Sequence, residues 1–415
     1  MSKLDELIRE LCPDGVEYKK LGEIATVLRG ASPRPIKKYI TNDSDGVNWI
    51  KIGDVPVGSK YITQSEEKIT KEGAEKSRYV RKGDFILSNS MSFGRPYILA
   101  IDGCIHDGWL SISNFKDVFL SDYLYYLLSS SAIQQEMKKR ASFGGAVQNL
   151  NADIVKALVL PVPPIEVQSE IVRILDNFTK LTAELTAELA ARKTQYSFYR
   201  EKLLDKTEMK ALMVEIADLG KWSGGKTPSM AEKKYWESGT IPWVSSKDVK
   251  QPILSDTIDH ITNAAIDEAS MTVYPAGSVA IVTRSGILRH TFPVTYIPFE
   301  TTVNQDIKIL VTKEGISSRY VSHALQAYGE SIRRTTKKQG GTVDSLDFQK
   351  VLAYKIPVPP IDVQNRIVNV LDNFEKICSD LNIGLPAEIE ARQKQYEYYR
   401  DKLLSFKEHK NELSD

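Results

Sequence analysis

Apolar residues at Ile171, Ile174, Phe178, Leu181 and Leu185 step by three and four, the spacing of a helix that packs along one seam. Leu189, Tyr196, Tyr199 and Leu203 continue the rhythm. Pro163-Pro164 fixes an extended approach, and no proline or glycine then interrupts the chain until well past Leu204. The pattern predicts one helix starting near Glu166, a rod of ~60 Å for ~40 residues at 1.5 Å each. A lone stripe of this kind suits a core-facing helix. Ile367, Leu371, Phe374, Tyr396 and Tyr399 lay down a second seam, so two such helices can pack on each other, most simply antiparallel.

The second seam is a copy of the first. From Leu160 to Lys180 against Ile356 to Lys376, 14 of 21 positions are identical, too many for convergence of pattern alone. Ala191 to Leu204 then matches Ala391 to Leu404 at an offset of 200 instead of 196, so four residues have been added to the second copy. Fainter landmarks keep the same order upstream: Glu23-Ile24-Ala25 with Glu215-Ile216-Ala217, Trp49 with Trp243, Asp54-Val55 with Asp248-Val249, Gly83 with Gly277, and Gly144-Gly145 with Gly340-Gly341. The chain is a tandem duplication: a variable head of about 150 residues followed by a nearly invariant helical part of about 50. Two copies that agree in one segment and diverge in another share one job and differ in the second. Because Leu403-Leu404 leads to the C-terminus as Leu203-Leu204 leads into the second head, the two termini are expected to be neighbours, in a circular pseudo-twofold arrangement.

The two helical parts differ at one place. Thr182-Ala183-Glu184-Leu185 is repeated at once as Thr186-Ala187-Glu188-Leu189. One such unit adds about 6 Å of helix, close to the rise of about 2 base pairs. The second copy carries Asn382-Ile383-Gly384-Leu385-Pro386 there, with Gly384 placed to end one helix and Pro386 to begin another, so its rod is expected to be two shorter helices.

Each head reads as mixed α/β with short strands, Val47 to Ile52 and Asp84 to Leu87 in the first, Ile241 to Val244 and Ser278 to Val282 in the second. A helix is expected over Asp122 to Lys139 and another over Ser317 to Thr335. Both end in basic residues, Lys138, Lys139 and Arg140, then Arg333, Arg334, Lys337 and Lys338. Such clusters complement a helix dipole or contact phosphate. Further polar and basic candidates in loops are Arg34, Lys37, Lys38, Asn89, Ser90, Arg95, Lys226, Ser245, Ser246, Lys247 and Arg284, which carry the guanidinium, ammonium, amide and hydroxyl groups that contact phosphate or read base edges.

Composition narrows the class without naming a function. With 415 residues, 26% charged and 42% hydrophobic, the chain is a multidomain globular protein, not a disordered or disulfide-stapled one. No apolar run approaches a membrane span and the first residues are charged, so a cytoplasmic site with no membrane partner is expected. Cys12, Cys104 and Cys378 stand far apart, and the five histidines lack ligand spacing, so no metal or cofactor is expected. The net charge of +1 does not announce nucleic acid. Gly220-Lys221-Trp222-Ser223-Gly224-Gly225-Lys226-Thr227 matches the phosphate-binding pattern G-x-x-x-x-G-K-[ST], which makes a nucleotide-binding protein built on Lys226 the alternative function. Its context is poor, because Pro228 follows at once and no acidic strand end for Mg²⁺ lies downstream. No Gly-x-Ser-x-Gly elbow occurs either, and a chain with two heads and no catalytic motif is a binder, of DNA or, as a scaffold, of proteins alone.

The Pro-x-Pro-Pro-Ile-x-x-Gln blocks with Leu-Asp-x-Phe at 161 to 178 and 357 to 374, the Gln-Tyr-x-x-Tyr-Arg-x-x-Leu-Leu ends, Ile241 to Val249 and the Thr-Ala-Glu-Leu doublet together resemble the specificity subunit of type I restriction-modification systems. The resemblance covers the whole chain. It implies target recognition domains at 1–158 and 207–354 and conserved helical spacers at 159–206 and 355–410, the spacers packed as an antiparallel coiled coil. It implies a non-catalytic subunit that reads a bipartite, asymmetric site on double-stranded DNA. Two methyltransferase subunits and the restriction/translocase subunits are the implied partners, and the number of Thr-Ala-Glu-Leu units is implied to set the gap between half-sites.

Overall fold

The computed structural model describes residues 2–55, 58–89, 93–141, 150–207, 211–338, 343–379 and 383–409. They form two compact units, Met1–Leu185 with Ile389–Asp415, and Thr186–Glu388. Among the described residues no helix is long and apolar enough to cross a membrane.

In the first unit the head is two sheets. One has five strands in the order Thr26–Arg29, Trp109–Ser113, Phe85–Ser88, Pro96–Leu99, Tyr61–Ile62. The other has Ile40–Thr41, Glu67–Ile69, Val47–Ile50, Gly103–Ile105 and Arg78–Val80. Phe85–Ser88 is buried at every position, as expected of a central strand covered on both faces. Phe85 meets Phe115 edge-on at 5.2 Å. The second unit repeats this frame in reduced form, with Gly220–Gly224, Ile307–Thr312, Ser278–Val282 and Val294–Ile297 in one sheet and Asp259–Ile261, Ile241–Val244 and Thr302–Val303 in the other. In both units the second sheet holds one parallel pair, with Trp49 beside Cys104 and Trp243 beside Thr302.

Each head closes on a two-stranded ribbon that leads into a helix. Glu17–Lys20 pairs antiparallel with Val159–Val162, and Leu212–Glu215 with Lys355–Val358. The first spacer helix is continuous over Ile165–Leu203. The second is two helices, Ile361–Ser379 and Leu385–Leu403, as the Gly-Leu-Pro stretch predicts. Gly384 works at the start of the new helix: its carbonyl accepts the Glu388 amide at 3.2 Å. Asn382 lies outside the described residues.

Within each unit the spacer segments run antiparallel. In the second, Tyr199 stacks on Phe374 at 5.5 Å, while Leu203 and Leu204 share a core with Ile367 and Leu371. In the first, Phe178 stacks on Tyr399 at 5.5 Å, while Ile171 and Leu175 share a core with Leu403 and Leu404. The same Phe–Tyr pair is thus made twice with the roles of the two spacers exchanged. The termini meet as well, since the Val16 amide donates to Lys407 O and the His409 amide donates to Val16 O, both at 2.9 Å.

Three expectations need correction. The helix expected over Asp122 to Lys139 is two, Ser121–Ser129 and Ser131–Ala141. Ser130 is extended there (φ −66°, ψ 151°), and its hydroxyl donates to Leu127 O at 2.7 Å, a local bond that competes with helix continuation. The counterpart breaks at Tyr328 into Ser318–Ala327 and Gly329–Thr336. Leu181 is not a seam residue: it is 47% exposed, and Thr182 occupies the half-buried position between Phe178 and Leu185.

Candidate functional site

Both heads build the same shelf from different residues. In the first, the Ala31 amide donates to Ile105 O, and in the second the Lys226 amide donates to Val303 O. The preceding residue is glycine in each case because the backbones touch: a Cβ on Gly30 would sit 2.0 Å from His106 O, and one on Gly225 1.7 Å from Val303 O. The following residue is a hydroxyl. Ser32 Oγ donates to Asp107 Oδ1 at 2.7 Å, and Thr227 Oγ1 donates to Gln305 Oε1. The loop carrying these acceptors is braced alike, since His106 Nδ1 accepts the Gly108 amide and Asn304 Oδ1 accepts the Asp306 amide. The strand end opposite is braced by a buried aspartate, Asp54 accepting the Lys51 amide and Asp248 the Ser245 amide.

On the first shelf Arg34 donates to the free oxygen of Asp107 at 3.2 Å while its side chain stays 82% exposed. The Ser32 hydroxyl holds the Asp107 carboxyl below the usual range, so the acceptor is an anion. Burial pushes the His106 imidazole down, which keeps it neutral and able to accept. Ser32, Arg34, Lys37, Trp49, Lys51 and His106 line a cavity of about 840 Å³ here. Lys38 is exposed on the same turn as Lys37. In the second head Lys226 and Gln305 are exposed beside each other's strands, with Ser246 and Lys247 on the turn braced by Asp248.

The nucleotide-binding reading of Gly220 to Thr227 is corrected by this geometry. Gly220–Gly224 is a strand hydrogen-bonded along its length to Ile307–Thr312, and Gly225 to Thr227 is the shelf. A phosphate loop needs free amides ahead of a helix N-terminus, and neither is present.

The other candidates separate by what their polar groups already hold. Asn89 is buried, donating its side-chain amide to Asp107 O at 3.0 Å, and Ser245 is buried against Asp248. Arg140 holds Glu136 and Ala157 O, and Arg333 holds Glu330 with the carbonyls of Leu288 and Arg289. These four are framework. Arg95 is exposed over the Tyr97 ring, and Lys138 and Lys139 are exposed at a helix end. Ser90 lies outside the described residues, as do the paired glycines at 144–145 and 340–341.

One basic group does assemble. The backbone at 344–346 pairs with Thr283 and Ser285 on one side and with Lys338 on the other, which brings Arg284, Lys337 and Lys338 together. Arg289, missed in the sequence, joins them through Asp344, whose carboxyl is held low by Lys337 at 2.7 Å. Arg334 is exposed on the adjoining helix.

The junction between head and spacer holds a third group that no spacing reveals. His323, Asp372 and Glu375 bring possible ligand atoms within 4.8 Å of one another. Arg319 pairs with both carboxylates, at 2.7 Å to Glu375, so the chain supplies its own cation. Finally, the spacers expose a repeated aromatic patch: Phe198 and Tyr398 are 59% and 61% exposed. Arg192 donates to Gln195 at 3.1 Å beside the first, and Arg392 to Gln395 at 3.2 Å beside the second. A cavity of about 740 Å³ lies along Arg192, Gln195, Phe198 and Tyr199.

A family model described as type I restriction modification DNA specificity domain matches residues 13–192 and again 209–391. The type I restriction enzyme EcoR124I/EcoR124II specificity subunit of Escherichia coli is 43% identical over 294 residues, 69% of this chain and 71% of that one. A putative type I restriction enzyme specificity subunit of Haemophilus influenzae is 28% identical over 415 residues, covering 94% and 96%. Among solved structures, a chain from work on assembly and conformational transition of the type I R-M system superposes with a TM-score of 0.65 at 15% identity, covering 94% of this chain and 97% of that one. The HsdS subunit from Thermoanaerobacter tengcongensis gives 0.53 at 15% identity, covering 95% and 96%.

Proposed function

The chain belongs to the type I restriction-modification DNA specificity family, and from that premise we propose that its two heads each read one half of a split, asymmetric site on double-stranded DNA. It is the sequence-specific recognition subunit of a type I restriction-modification complex, directing adenine methylation and restriction by partner subunits without catalysis of its own. The observation that carries this reading is the doubled shelf: one backbone frame, two sets of outward groups, Arg34 with Asp107 in one and Lys226 with Gln305 in the other. Binding of one partner type at two places needs constancy, and reading of two different half-sites needs divergence.

Residues 1–158 and 207–354 are the recognition domains in this reading, and 159–206 and 355–410 the spacers. The repeated patch at Phe198 and Tyr398 suits two copies of one partner, a methyltransferase subunit on each, with the restriction/translocase subunits joining the complex. Exposed aromatics beside an arginine are the residue types enriched at such interfaces. With a net charge of +1, much of the phosphate contact falls to those partners, and the complex works in the cytoplasm where DNA is. The Thr182–Leu189 doublet is the ruler: a third unit adds about 6 Å of helix and lengthens the gap by about one or two base pairs. Methylation sequencing of DNA treated with the complex tests both points. It should return two half-sites and a fixed gap that grows with the third unit; no split site refutes recognition, and an unchanged gap refutes the ruler.

A further inference from the structure

We infer that the shelf residues Arg34 and Gln305 are specificity-determining, each reading one base pair of its half-site, Arg34 a guanine and Gln305 an adenine, with Asp107 and Thr227 as the positioning residues that aim them. This rests on the DNA-recognition reading and goes beyond it by assigning residues and bases. Three observations converge on these positions.

The first is equivalence. Ser32 with Asp107 and Thr227 with Gln305 occupy the same places in a frame fixed by matching backbone bonds, the glycine contacts and the bracing aspartates. Within that frame the outward side chain is what differs between the heads. A position held rigidly by common backbone and filled by different hydrogen-bonding chemistry is where two related readers diverge.

The second is availability. Arg34 is 82% exposed and donates to Asp107 through one terminal nitrogen, which biases the guanidinium fork toward the shelf. A fork so held matches guanine O6 and N7. Gln305 accepts the Thr227 hydroxyl at its oxygen, which fixes the amide orientation, keeps both N–H donors outward and leaves a second lone pair. That presentation fits adenine N7 and N6. Asn89, Ser245, Arg140 and Arg333 have spent the equivalent groups inside the protein.

The third is surroundings. Lys37 lines the cavity beside Arg34, and Lys226 is exposed beside the strand that leads to Gln305, so each reading group has a cation nearby to hold phosphate.

The test is methylation of a randomised DNA library by the complete complex carrying Arg34→Ala or Gln305→Ala. Both residues are exposed, and the unaltered half-site in each variant reports that the protein is folded and the complex assembled. Arg34→Ala should lower discrimination about tenfold to hundredfold at one G·C pair of one half-site. Gln305→Ala should do so at one A·T pair of the other, with the gap unchanged in both. Asp107→Ala should weaken the Arg34-dependent pair less than Arg34→Ala does and add nothing to it in the double variant, because it acts only through Arg34. A uniform loss over all sequences with a shallower salt dependence would make these residues phosphate contacts and overturn the assignment, as would unchanged preferences. A wild-type complex that selects no split site would instead overturn the recognition reading beneath it.

Discussion

Gln168 and Gln364 make the same three hydrogen bonds in the two units. Each oxygen accepts an amide from the head, Leu120 or Ser317, and each nitrogen donates to a head carbonyl, Val118 or Gly315, and to a proline carbonyl, Pro163 or Pro359. Eight residues further along, Asp176 and Asp372 also occupy equivalent places but meet different partners: Tyr126 and Lys60 in the first unit, His323 and Arg319 in the second. The contrast marks where duplication has been held and where it has been released. The glutamine joins spacer to backbone, which both heads share, whereas the aspartate joins spacer to side chains, which diverged with the heads.

The largest difference between the units is expected at that aspartate. Arg319 is 12% exposed and neutralises the buried Glu375, so Arg319→Met strands that carboxylate, while Asp372 keeps His323, and should cost about 3–5 kcal/mol in the second unit. Lys60→Met in the first unit leaves Asp122 and Asp176, 38% and 51% exposed, open to water, and should cost about 1 kcal/mol or less. Denaturant unfolding of both variants gives the comparison, and equal losses would mean that the two junctions are energetically alike.

Gln168→Ala and Gln364→Ala should instead be matched. Each removes a buried side chain and leaves a part-buried amide and two carbonyls short of a partner, at about 2–3 kcal/mol in either unit. A gap between them larger than the measurement error would break the equivalence of the two joints.

The smallest effect is in acid. Burial works against the Asp372 charge, but hydrogen bonds from His323 and Arg319 outweigh it and hold its carboxyl below the usual range. A depressed native carboxyl means that the unfolded chain takes up the proton first, so the stability from this group is complete above about pH 4 and is lost as pH falls below that. Asp372→Asn should flatten the acid limb of a stability–pH curve, and an unchanged limb would remove Asp372 from it.

The legible parts of the molecule are those where periodicity or identity survives. Ile241–Val244 and Ser278–Val282 have the strand limits read from pattern, and Ile165–Leu203 runs as the seam and the absence of breakers require. The helix breaks at Ser130 and Tyr328 were not legible, because a local hydroxyl bond at the first and a single turn of altered backbone at the second leave the apolar spacing intact. Leu181 was misplaced because a three-four pattern admits two adjacent registers, and packing chose the one containing Leu175 and Thr182. The shelf was hidden for another reason. Its halves recur at offsets of 195 and 198, on either side of the 196 that aligns the spacers, with dissimilar side chains, so only the hydrogen bonds reveal the match. Arg319, His323, Asp372 and Glu375 come from two helices about 50 residues apart, beyond any local spacing rule.

Divergent heads on a common frame are the centre of this account, and exchanging one head tests it most directly. Residues 13–158 should be placed where 209–354 now stand, and DNA methylated by the complex sequenced. The first half-site is expected on both sides of the gap, with the second half-site gone. Retention of the original asymmetric site would contradict it, because recognition would then lie outside the heads.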